Sequence, residues 1–252
     1  MTWLLTLAFD GTEYCGFQVQ PNGRSVAAAF QDGLEAVIGR RPDIKGCSRT
    51  DAGVHALGFA LSFEADLRIP PEKLPLALNT KLPRDIRVLS ARVVPDGFHA
   101  RYAAHTKTYL YRIRNSPIDS PFEERYYCRI PGRLDVERMQ RAAAHFVGTH
   151  DFLALCAAHS SAAAHGDTVR TITACGAERH GDTVEITVTA DGYLYNMVRI
   201  LAGTLCEAGA CRLDPEAVPA ILASRDRRLA GPTLPAKGLF LHHVDYGKEA
   251  EG

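Results

Sequence analysis

Neither sign of charge predominates in this chain: 29 lysines and arginines stand against 29 aspartates and glutamates, for a formal net charge of zero. No global basic field draws in a polyanion, so any nucleic-acid site must be a local patch. No apolar run approaches membrane-spanning length. The apolar opening Met1–Asp10 is short and lacks a basic leader, so it reads as a first strand rather than a secretion signal. The seven cysteines are odd in number, scattered, and include no C-x-x-C pair. That pattern argues against a disulfide framework or a zinc site and points to the reducing cytosol.

What is present is ordinary globular composition. With 252 residues, 46% of them hydrophobic, the chain can build one large domain or two small ones sharing a core. Its most informative stretch is Cys47-Ser48-Arg49-Thr50-Asp51-Ala52-Gly53-Val54-His55-Ala56, a polar turn between two apolar runs. Gly46 and Gly53 bracket the charged centre and permit tight or left-handed backbone. A turn between strands is where a scaffold presents a reactive side chain; equally, Asp51 can serve only to bond its own backbone in a local turn. Cys47 reads as a small apolar residue ending a strand.

Elsewhere strands and helices alternate. Ser25 is placed to cap a helix whose Val26, Phe30, Leu34, Val37 and Ile38 share one face, with Gly39 as its stop. Asp135 is placed to cap a second helix, and Arg179-His180-Gly181 joins two strands in a hairpin. The stretch Phe98–Arg114 contains no acidic residue and carries Arg101, Lys107, Arg112 and Arg114 among aromatics. From Lys107 it alternates, so Lys107, Tyr109, Tyr111 and Ile113 share one strand face. Cations interleaved with aromatics suit single-stranded nucleic acid; a half-buried strand with packed tyrosines and solvated arginines fits the same pattern. A third stretch, Gly192–Gly209, reads as a buried helix with close approach at Gly203 and Gly209 as its cap. Arg199 stands in that apolar sequence; buried, it needs an anionic partner, for which Asp51 is the candidate, and otherwise it emerges at the helix surface and pairs with Glu207 or solvent. His242 and His243 are strand neighbours facing opposite ways, so they make no metal pair.

Together these stretches resemble the TruA-type tRNA pseudouridine synthases. Ser48–His55, Phe98-His99-Ala100-Arg101 with Lys107-x-Tyr109-x-Tyr111, and Asn196-Met197-Val198-Arg199 with Gly203 occur in the family's order. Asp10-Gly11-Thr12, Gly16-Phe17-Gln18, Gly148–Phe152, Arg170-Thr171-Ile172 and Gly238–Leu241 match as well, so the likeness runs from about residue 3 to Tyr246. The resemblance implies an α+β pseudouridine-synthase fold: a mixed, mostly antiparallel sheet in two related halves, with flanking helices and a central cleft. It divides the chain into an N-terminal half, 1–104, carrying the Asp51 loop, a C-terminal half, 105–246, carrying the Arg199 helix, and a flexible tail, 247–252. It implies a cytoplasmic homodimer that holds tRNA, with no metal, cofactor or membrane, acting on uridines 38, 39 and 40 of the anticodon arm. Carried over residue by residue, Asp51 is the catalytic carboxylate, Arg199 its partner, and Tyr109 the ring that stacks on the target base. Arg49 enters the stem as the nucleotide flips out, while His55, Arg101 and Lys107 join the substrate contacts. Ser48, Phe17 and Leu155 stand where glycine, tryptophan and phenylalanine are expected. The rival readings are a pseudouridine synthase for another RNA site, a non-catalytic RNA-binding module, and a hydrolase releasing free uracil.

Overall fold

The computed structural model describes residues 1–21, 23–157 and 164–247. Asn22, residues 158–163 and the tail after Gly247 lie outside the described residues. The fold is α+β, with ten strands and five helices among the described residues, and the strands pair in the expected mixed, mostly antiparallel fashion. The chain forms two compact units, Met1–Thr106 with the segment from Phe240 onward, and Lys107–Leu239.

In the first unit the strand order is β4-β1-β3-β10, where β1 is Thr2–Phe9, β3 His55–Glu64, β4 Ile86–Val94 and β10 Leu239–Asp245. β1 pairs antiparallel with both β3 and β4, placing Leu5 opposite Leu61 and Ala91. β10 joins in parallel, with Phe240 opposite His55. The short β2, Ile44–Gly46, adds to β3 with Lys45 opposite Ser62. Trp3 is 1% exposed and donates its indole N–H to the Ala65 carbonyl at 3.0 Å, so a large ring is buried without orphaning its donor.

Helix α1, Val26–Ile38, packs its Val26, Phe30 and Leu34 face inward, as its spacing predicts. The Ser25 hydroxyl accepts from the Ala28 amide, and Gly39 closes the helix in left-handed geometry, its N–H bonding the Glu35 carbonyl. Both ends thus form where the sequence places them. Ser25→Ala should lower stability by about 1 kcal/mol, the usual worth of such a cap, read as a fall in denaturant midpoint with an unchanged m-value. Helix α2, Leu74–Asn79, follows a 3-10 turn at Pro71–Lys73, with the prolines in the first turn.

In the second unit the order is β5-β9-β8-β7, all antiparallel, with β5 Thr106–Arg114, β7 Gly148–Asp151, β8 Val169–His180 and β9 Thr183–Ala190. The hairpin between β8 and β9 is as expected, with Gly181 at φ 61° in its turn. A two-residue β6, Cys128–Arg129, runs parallel to β5. Helix α3, Val136–Ala144, is capped by Asp135, whose side chain accepts from the Arg138 amide. Helix α4, Met197–Gly209, corrects the sequence reading at both ends. It begins only after Asn196, which sits at φ 61° and breaks the turn before it. It also includes Gly209, because the left-handed residue is Cys211 at φ 59°. What requires glycine at 209 is packing: a Cβ there would press on Met139 of α3. Helix α5, Val218–Ser224, completes the unit.

Candidate active site

The Asp51 loop leaves β2 and returns as β3. Cys47 extends the pairing by donating its amide to Ala60 O at 2.9 Å, and its side chain is fully buried, as expected of a strand end. The turn at the loop's centre closes through backbone, Val54 N–H to Asp51 O at 3.2 Å, with Gly53 at φ 76°. Ser48 is not among the residues with positive φ, so serine in place of the expected glycine brings no backbone strain there. Asp51 is half-buried, Arg49 is exposed, and Thr50 is 8% exposed with its hydroxyl lacking a hydrogen-bond partner among the described residues.

A second segment, Asp10–Phe17, braces this loop through the main chain. Phe17 donates its N–H to Thr50 O at 3.2 Å, and Gly53 donates to Tyr14 O at 3.3 Å. A Cβ at Gly11 would collide with the Val54 carbonyl, and one at Gly16, which sits at φ 96°, with the Thr50 carbonyl. Two backbones touch here with no room for side chains. The bracing segment is itself anchored. The Tyr14 hydroxyl donates to Asp85 Oδ1 at 2.6 Å, the Asp10 amide bonds Asp85 O at 2.9 Å, and the Arg24 guanidinium lies 4.8 Å above the Tyr14 ring. Burial, then the Asp85 hydrogen bond, raises the Tyr14 pKa well above its ordinary value, so the phenol stays a donor. Phe17, standing for the expected tryptophan, stacks on Phe59 at 4.3 Å and helps to seat the segment.

His55 was expected to meet substrate, and the structure gives it a different place. The ring is 1% exposed and stacks on Phe240 at 4.7 Å. Its Nδ1 accepts the Gly11 amide at 3.1 Å. Asp10 Oδ1 also lies 3.1 Å from Nδ1, but that oxygen accepts from the Thr12 amide and hydroxyl at 3.0 and 2.6 Å. His55 therefore ties the bracing segment to the start of β3. Arg101 is exposed on a separate stretch, joined to β3 where the Ala100 amide donates to Ser62 Oγ at 3.0 Å.

The second unit carries Lys107, Tyr109 and Arg199. Lys107, Tyr109, Tyr111 and Ile113 are all buried and share one face of β5, as the alternation predicts. Tyr109 meets Tyr193 edge-on, with centroids 4.9 Å apart, and the single proton of the Tyr193 hydroxyl is shared between the Lys107 and Val188 carbonyls at 2.7 and 2.9 Å. Tyr193, unremarked in the sequence, thus sets both the ring and the strand that carry Tyr109. Arg199 donates from Nε to Leu234 O at 2.7 Å and from Nη1 to Asn196 Oδ1 at 2.8 Å. Its alternative partner, Glu207, is held instead by Arg212 at 2.6 and 2.7 Å. The segment that presents Leu234 packs directly on α4. A Cβ at Gly203 would strike the Pro232 carbonyl, and the Gly231 amide donates to Thr204 Oγ1 at 2.9 Å. Close approach at Gly203, legible in sequence, therefore positions the carbonyl that aims Arg199. Leu155, in place of the expected phenylalanine, is fully buried in a 3-10 turn.

Among the described residues no three His, Cys, Asp or Glu side chains come together as a metal cage, and both His242 and His243 are exposed on β10. No helix among the described residues is long and apolar enough to cross a membrane. Sequence reasoning missed Tyr14 as an anchor and Asp85 entirely. They lie 71 residues apart, and no local pattern links them.

The family model described as tRNA pseudouridine synthase matches residues 6–103 and 142–247, which take in the Asp51 loop and α4. Curated relatives named tRNA pseudouridine synthase A match nearly end to end. That of Moorella thermoacetica is 46% identical over 96% of this chain and 98% of its own. That of Shouchella clausii is 44% identical over 96% and 92%. That of Bacillus pumilus is 41% identical over 96% and 97%. Matches of this extent on this fold leave one conclusion: the chain belongs to the tRNA pseudouridine synthase family.

Proposed function

We propose that this enzyme isomerises uridine to pseudouridine in the anticodon arm of tRNA, at positions 38, 39 and 40, with Asp51 as its catalytic carboxylate. The observation that carries the reading is the Asp51 loop: a half-buried carboxylate on a turn whose carbonyls and amides are braced by a second backbone segment. The reaction breaks the N1–C1′ bond, turns the uracil and joins C5 to C1′; C5 gives up its proton and N1 takes one up, so the atoms of uridine and pseudouridine balance. A carboxylate suits it by attacking or stabilising the ribose, or by acting on the base. A fixed loop supplies the positioning on which such a step depends. Arg199 takes the role of the cation that favours an ionised aspartate, Tyr109 that of the ring beneath the target base, and Arg49 that of the wedge. Lys107 and Arg101 add charge for the backbone of the RNA. His55 acts indirectly, by holding the loop.

The test is to incubate the purified protein with unmodified tRNA transcripts and map pseudouridine by carbodiimide labelling followed by primer extension. Product at positions 38 to 40 is expected. Product elsewhere would overturn the anticodon assignment and keep the chemistry, whereas free uracil would make the protein a hydrolase. Tyr109→Phe keeps the stacking ring, so tRNA affinity should stay within about twofold, measured by fluorescence anisotropy; a larger loss would give the hydroxyl a binding role. The reading extends to a homodimer in the cytoplasm, which sedimentation of the protein with and without tRNA checks for the dimer.

A further inference from the structure

The first unit contains a cavity of about 500 Å³ beyond the Asp51 loop, within the roughly 300–1,000 Å³ of ligand pockets. Thr2, Arg40, Lys45, Phe63, Phe98 and His99 line it, with Ser62 and Glu64 at the end of β3. None of residues 46–61 lines it, so the cavity is distinct from the Asp51 turn.

Three observations give it a chemistry. Thr2 is 2% exposed, and its hydroxyl has no hydrogen-bond partner among the described residues. A buried polar atom left unpaired is where an incoming donor or acceptor gains most. Next to the cavity, Tyr102 is 77% exposed, its ring supported by His99 at 4.3 Å and by the Arg101 guanidinium at 5.9 Å. A ring this exposed and already supported can take a flat partner at little entropic cost. The third is charge. Arg40 makes no ion pair among the described residues. Lys45 pairs with Asp43 alone among the described residues, and both are well exposed, which leaves its charge largely available. Arg41 is committed to Asp32 and Glu35 at 2.6 and 3.0 Å and is left out. His99 senses this surface: burial first, and then Lys45 and Arg101, depress its pKa against the opposing pulls of a backbone hydrogen bond and Asp43.

We propose that this cavity binds an unpaired nucleotide of the tRNA substrate other than the uridine being isomerised, its base on Tyr102 and its phosphate at Arg40 and Lys45. The inference rests on the tRNA reading above. The acids Asp43 and Glu64 at its rim disfavour a bare anion, while base, ribose and phosphate together use the ring, the orphan hydroxyl and the cations.

The test measures tRNA affinity by anisotropy across a salt series, alongside turnover, with both variants at exposed positions. Tyr102→Ala should weaken tRNA binding about tenfold, in line with loss of one stacked base, while Tyr102→Phe restores it. Arg40→Gln should reduce the slope of log K against log salt by about 1, the mark of one phosphate contact. Turnover at saturating tRNA should hold in both. Affinities within twofold of wild type and an unchanged slope would overturn the proposal. So would competition by a mixture of nucleoside monophosphates that Tyr102→Ala abolishes, since the site would then serve free nucleotides. Wild-type turnover on the same tRNA separates these failures from failure of the tRNA reading itself.

Discussion

Asp51→Asn should stop pseudouridine formation in unmodified tRNA, with a loss of roughly 10³-fold or more, while tRNA remains bound. The expectation follows from what the substitution spares. Asparagine has the size of aspartate and tolerates turn geometry, and the loop is held by backbone bonds from Val54, Gly53 and Phe17 that do not involve the changed carboxylate. The fold and the RNA contacts should therefore persist. What disappears is the negative charge and the nucleophilic oxygen, and a neutral amide cannot replace either in attacking a ribose or stabilising its developing positive charge. Mapping pseudouridine after single-turnover incubation, with anisotropy on the same sample, reads both halves of the result. Wild-type rates from Asp51→Asn would remove the carboxylate from the chemistry. Absence of product from wild type and variant alike, with tRNA bound by both, would favour the non-catalytic RNA-binding module.

How far the sequence could be read depended on the range of the interaction involved. The α1 boundaries were legible because Ser25 and Gly39 act within one helical turn of themselves. The shared face of Lys107, Tyr109, Tyr111 and Ile113 was legible because strand alternation is a two-residue period. The start of α4 was misread because the apolar run from Leu194 onward continues through Asn196, and only the backbone angle of Asn196 interrupts it. His55 illustrates the limit within the site. The resemblance puts His55 among the substrate contacts, yet its ring is buried, with Nδ1 accepting the amide of a glycine 44 residues earlier. The pairing of Tyr14 with Asp85 and of Arg199 with the Leu234 carbonyl were equally out of reach, since each depends on segments brought together only by folding.

That brace yields the second large effect, Gly16→Ala. Two costs arise at this position and can be separated. The first is conformational: φ of 96° lies where L-residues are strained, at about 1 kcal/mol. The second is steric, because the new Cβ would run into the Thr50 carbonyl, one residue before Asp51, and backbone cannot swing away as a flexible side-chain end can. Gly39 supplies the control. It has φ of 73° and nothing within 4 Å of an added Cβ, so Gly39→Ala carries the first cost without the second. Gly39→Ala should therefore lose about 1 kcal/mol of stability and no activity. Gly16→Ala should lose about 2 to 3 kcal/mol, and its turnover should fall about 10²-fold as the carbonyl moves and Asp51 moves with it. Thermal midpoints give the stability difference, and kcat at saturating tRNA gives the catalytic one. If both variants lost stability equally and Gly16→Ala turned over at the wild-type rate, the Asp10–Phe17 segment would be ordinary packing. If Gly16→Ala alone loses turnover while still binding tRNA, the main-chain contact between two loops is what holds the carboxylate in position.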